Sequence, residues 1–165
     1  MKLTLTLLLF STMAFAESAR PAQRFVCNTG YTIEQCHEQM ARVRNLVARY
    51  HGDWLGDWTW VLVRADDWKP LLRQIGGNPE SPAFSVLGKR STFFDEALFQ
   101  PTTHGAELLQ IWQMPMDRLA VLAVTHEIGH ALCNDPNEAR ADQRAQILQK
   151  GGSPDCGPRQ LQAQR

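Results

Sequence analysis

Residues Val124–Gln143 read VTHEIGHALCNDPNEARADQ. His126 and His130 are four apart, Glu127 directly follows the first, and Glu138-Ala139-Arg140-Ala141-Asp142 comes after a break at Asn134-Asp135-Pro136. On a helix, residues four apart sit one above the other on one face. Two imidazoles so placed can converge on one ion at the roughly 2.0–2.1 Å that zinc–nitrogen bonds require. Glu127 lies one step round the helix. From there its carboxylate reaches a water beside the ion without becoming a ligand. Two histidines on a buried helix also need polar partners, and a metal supplies one.

A catalytic zinc needs a third protein ligand, for which Asp135, Glu138 and Asp142 are the candidates. With one helix ending near Cys133 and the next starting near Pro136, the chain reverses about Asn134–Asp135. His130 and Glu138 then stand at one height on facing helices, and one turn further from the bend His126 meets Asp142. This favours Glu138 as ligand and Asp142 as the carboxylate that takes the other ring N–H of His126, fixing its tautomer. A competing role for Glu138 is a capping box, with Asp135 as N-cap and Glu138 at the third helical position.

The motif His126-Glu127-Ile128-Gly129-His130, followed by Glu138-Ala139-Arg140-Ala141-Asp142, resembles the gluzincin branch of zinc metallopeptidases, H-E-x-x-H with a downstream E-x-x-A-D helix. The similarity covers Val124–Gln143 in sequence and Thr32–Lys150 in the order of elements. It implies His126, His130 and Glu138 as zinc ligands, Glu127 as general base and acid, and Asp142 behind His126. It also implies a minimal single-domain zincin. The metzincin pattern fits worse, because Cys133 stands where that pattern has glycine and Pro136 where it has a third histidine. The expected activity is hydrolysis of peptide bonds in a peptide or protein substrate. Zinc is the cofactor, activating a water whose pKa it brings toward about 7. A tetrahedral oxyanion needs a further donor, for which His104 is the candidate, with Tyr50 and Arg140 as alternatives.

The rest of the chain sets the context. Lys2, the apolar run Leu3–Phe15 and Ala14-Phe15-Ala16 match a secretory signal peptide spanning residues 1–16. Its removal leaves 149 of 165 residues, with 16 basic against 17 acidic. That is one domain with a real core. The balanced charge gives no footprint for nucleic acid or anionic membrane, and no remaining segment is apolar enough to span a bilayer. Four cysteines in an exported chain read as two disulfides, Cys27–Cys36 and Cys133–Cys156, each closing a local loop. The second would clamp the two metal-bearing helices. The expected location is the periplasm or the extracellular space.

Periodicity predicts a helix over Thr32–Tyr50, capped by Thr32, a strand at Trp58–Val63 and a helix at Asp66–Gln74. It also predicts antiparallel strands at Ala83–Leu87 and Ser91–Phe99 about a Gly88-Lys89-Arg90 turn. A break at Pro101–Gly105 and a helical turn at Glu107–Gln113 precede a buried helix from Pro115, and a last helix runs to about Lys150. The order predicts an α+β fold, a few-stranded twisted sheet packed on helices, one of them the buried histidine-bearing helix. The domain is expected over 32–156, after an N-terminal segment at 17–31 that is loose as far as Arg24, with a flexible tail at 157–165. Ala83–Leu87 is the strand expected to hold a peptide by its free edge. Two other functions fit the same residues: a zinc-binding assembly factor without turnover, and a disulfide-stapled binding module without metal.

Overall fold

The computed structural model describes residues 23–157; the expected signal peptide and nearly all of the expected tail lie outside the described residues. The fold is α+β. The elements run β1 (Arg24–Cys27), α1 (Ile33–Arg49), β2 (Thr59–Val63), α2 (Ala65–Ile75), β3 (Ala83–Val86), β4 (Ser91–Asp95), α3 (Thr103–Trp112), α4 (Met116–Cys133) and α5 (Glu138–Gln149). The sheet order is β1-β2-β4-β3, with β1, β2 and β4 parallel and β3 antiparallel at one edge.

Side-chain alternation along the strands divides the core in two. Trp60 and Leu62 of β2 and Phe94 of β4 point to one face and are fully buried with Met40, Val43 and Val47 of α1 and Val124 and Ile128 of α4. Trp60 and Phe94 stack at 5.9 Å. Val61, Val63, Phe93 and Phe84 point to the other face, against Trp68 and Leu72 of α2. Register fixes this division: Phe93 pairs with Val61 and Phe84, and Phe94 with Leu62 and Ala83. A slip of one residue would turn both sets over.

Local chemistry sets the element ends. Thr32 forms a capping box with Gln35 at the start of α1. The strand expected to reach Phe99 stops at Asp95, whose carboxylate accepts the Ala97 N–H and starts a 3-10 turn over Glu96–Leu98. The expected break at 101–105 is instead a helix start. The Thr102 hydroxyl accepts the Gly105 N–H at 2.9 Å, so α3 begins at Thr103. Pro101 lies before that cap and costs the helix nothing.

One element was missed. Arg24–Cys27 is a strand within the segment expected to precede the domain, pairing with β2 and tied to α1 by the Cys27–Cys36 disulfide. Four residues of alternating partial exposure carry too little pattern to be seen alone; the partner strand and the disulfide hold them.

Helix α5 lies along α4, and the approach is closest at Gly129. A Cβ there would meet the Ala141 carbonyl oxygen at 2.8 Å and the Arg144 Cβ at 3.2 Å. Ala141 and Ala145 on α5 are buried in the same seam. Cys133, the last residue of α4, is bonded to Cys156, which ties the segment beyond α5 back to the end of α4 beside the bend. The bridge spans 23 residues of sequence. Replacing both cysteines by serine should lower unfolding free energy by about 3 kcal/mol, measured by chemical denaturation of the purified protein.

Candidate metal centre

Helix α4 is buried on nearly all sides, which requires its polar side chains to find partners. Thr125 turns its hydroxyl back to Val121 O and receives Gln149 Nε2 of α5 at 2.8 Å. His126 and His130 point from the same face of α4 toward the start of α5. His126 Nδ1 lies 2.8 Å from Asp142 Oδ1, and His130 Nδ1 lies 2.6 Å from the Asp135 carbonyl oxygen. Both partners only accept, so neutral imidazoles carry their protons on Nδ1 and present bare Nε2 lone pairs.

Those lone pairs converge. The two Nε2 atoms are 3.0 Å apart, and Glu138 Oε2 lies 3.0 Å from His126 Nε2 and 3.4 Å from His130 Nε2. Three acceptor atoms at these separations repel unless a cation sits among them. Ligands about 2.0–2.1 Å from a tetrahedral ion stand roughly 3.3–3.4 Å from each other, close to the spacing found. His126, His130 and Glu138 can therefore hold a metal ion.

Glu138 is free for this role because it does not cap. Asn137 is the N-cap of α5, its side chain accepting the Arg140 N–H at 3.0 Å, so Glu138 is the first helical residue. The alternative with Asp135 as cap and Glu138 at the third position is not what the chain adopts. Asp142 sits one turn further along α5, behind His126, where the hairpin places it.

Glu127 belongs to the same cleft, which measures about 730 Å³ and runs along α4 under β3. The residue is only 5 % exposed, and its Oε2 has no hydrogen-bond partner among the described residues. Burial pushes its carboxyl up; the Ser85 hydroxyl and the two histidines oppose that rise. A buried carboxylate oxygen left without a protein donor, beside three converging lone pairs, fits a water held next to an ion. Ser85 was not singled out in the sequence. It lies on β3, and its hydroxyl is 2.7 Å from Thr92 Oγ1, which receives Trp58 Nε1 at 3.0 Å. A serine in a strand carries no signal of its own; only strand pairing brings it over Glu127.

The candidate oxyanion donors lie elsewhere. None of His104, Tyr50 or Arg140 is among the residues lining the cleft. Arg140 is engaged with the Asp135 carboxylate, and Tyr50 packs against the core at the end of α1. His104 is buried, with Nδ1 2.6 Å from Asp95 Oδ2.

No family model, curated protein or solved structure matches this chain.

The Asp95 environment generates a pH prediction. Burial pushes Asp95 up from 3.8 to about 6, against the Ala97 N–H and His104. A carboxyl raised on folding contributes stability that is present below its unfolded pKa and is lost as pH rises through the folded one. Asp95→Asn cannot ionise and escapes that loss. Its Tm should therefore gain on wild type between about pH 4 and pH 7, with the gain measured by differential scanning calorimetry across that window. A difference that stays constant with pH would remove Asp95 as the source.

Proposed function

We propose that this protein is an exported zinc metallopeptidase of gluzincin type, with a minimal zincin domain. The observation that carries the reading is the set of three lone pairs on His126, His130 and Glu138, with the orphaned Glu127 oxygen beside them. Export is supported by the two disulfides, which belong to oxidising compartments. Among the described residues no helix is long and apolar enough to cross a membrane.

Zinc is the ion this donor set suits, since two imidazoles and one carboxylate leave a position open. When bound, it supplies Lewis acidity to a water and to a substrate carbonyl. Glu127 accepts the proton of the attacking water and delivers it to the departing amine. Its burial favours the protonated form, which makes it a willing acceptor, and Ser85 tempers that effect. Asp142 and the Asp135 carbonyl keep both ring protons on Nδ1 throughout.

Strand β3 supports a peptide as the substrate. It pairs with β4 along one edge, and Ala83, Phe84 and Ser85 line the cleft above α4. An extended chain laid there would add to the sheet through backbone hydrogen bonds. Further along the cleft stand the partly exposed Trp112 and Leu122, an apolar lining for a side chain flanking the cut bond.

The test is digestion of a peptide library by zinc-loaded wild type and Glu127→Gln. The variant should keep its zinc and lose roughly 10²–10⁴-fold in rate, read by mass spectrometry of the products. Equal cleavage by both would remove the enzymatic claim. Bound zinc with no cleavage by wild type would leave a metal-binding protein that acts without turnover. His126→Ala should abolish stoichiometric zinc binding, measured by metal analysis after dialysis.

A further inference from the structure

Seven residues separate His130 from Glu138, and within them the chain must end one helix, reverse and start another. Asp135 stands in the middle of that bend and is 1 % exposed. Its two functional groups face opposite tasks. The backbone carbonyl takes the His130 Nδ1 proton at 2.6 Å. The carboxylate takes Arg140 through Nε and Nη2, Arg144 Nη2 at 2.8 Å, and the Asn137 N–H at 3.1 Å. Arg144 also donates to Gly129 O at 3.3 Å, on the turn of α4 that lies between the two histidines.

We infer that Asp135 is a positioning residue of the metal centre: its carboxylate, clamped by Arg140 and Arg144, holds its own carbonyl where His130 needs an acceptor. This rests on the metal-site reading above, and it does not depend on peptide cleavage. The physical reason is the shortness of the bend. Asn134 adopts a left-handed conformation, φ 46°, and the Asn134 and Asp135 N–H groups bond back to Ala131 and His130 carbonyls. The backbone leaves α4 in one tight turn, so small rotations of the Asp135 peptide would swing its carbonyl off His130. Charge-assisted bonds from two arginines on α5 remove that freedom. The same bonds tie the first two turns of α5 to the bend, and Glu138 and Asp142 stand on those turns. One buried carboxylate thereby sets the orientation of one ligand and the placement of another.

Asp135→Asn keeps the backbone carbonyl and the side-chain shape, but it takes the counter-charge from a buried guanidinium. Zinc affinity, measured by competition with a chromogenic chelator, should fall about 10–100-fold while the far-ultraviolet circular dichroism of the apoprotein is kept. The visible absorption of the Co²⁺-loaded variant should change with it, because His130 is no longer held in one orientation. Arg140→Gln, at a half-exposed position that tolerates change, should give a smaller loss in the same direction and serves if Asp135→Asn does not fold. Arg144→Lys keeps the charge but cannot reach both Asp135 and Gly129, so it should retain only part of the wild-type affinity. Wild-type zinc affinity together with a wild-type Co²⁺ spectrum in Asp135→Asn would overturn the proposal, whatever the change in Tm. Wild type that binds zinc but cuts no peptide would sink the peptidase reading alone. Wild type that binds no zinc would sink both.

Discussion

Two backbones in close approach govern this molecule. At Gly129 a methyl group would have to occupy the space of the Ala141 carbonyl. With hydrogen there instead, α4 and α5 come near enough for side chains as short as histidine, aspartate and glutamate to meet across them. The two ring Nε2 atoms and Glu138 Oε2 come within 3.0–3.4 Å of one another as a consequence. A larger residue at 129 would part the helices, and Glu138 and Asp142 would retreat together because they share α5.

The sheet supplies the other wall of the cleft. Its parallel strands are buried between α1 and α4 on one face and α2 on the other, which leaves the antiparallel β3 as the edge over α4. Placing Ser85 over Glu127 follows from the pairing of Ser85 with Thr92, and Thr92 is itself held by the buried indole of Trp58. A core tryptophan and a carboxylate in the cleft are thus joined through two hydroxyls. Buried polar groups arranged this way specify one packing, since each lost partner strands its neighbour.

Buried charge at the bend is handled by neutralisation. Asp135 would be costly in an apolar interior, yet two guanidiniums and a backbone N–H satisfy it. Asp95 is treated differently, with one histidine contact and one N–H, and its carboxyl rises accordingly.

Motif spacing and helix geometry made the histidine–glutamate cluster that could hold a metal ion, the hairpin and both disulfide pairings legible from the chain alone. The reason is that these are local: His126 and His130 share one helix, Glu138 and Asp142 the next, and each cysteine pair closes a short loop. The capped helix over 33–49, the strand at 59–63 and the antiparallel pair about 88–90 were readable on the same ground. What only the tertiary structure decided was non-local. Strand β1 exists because β2 pairs with it, Ser85 matters because β4 aligns it, and His104 turns to Asp95 because α3 starts earlier than its proline and glycine suggest. Asp135 is the clearest case: as a sequence position it was a cap or a ligand, and only the folding of α5 against α4 brings two arginines to its carboxylate and His130 to its carbonyl.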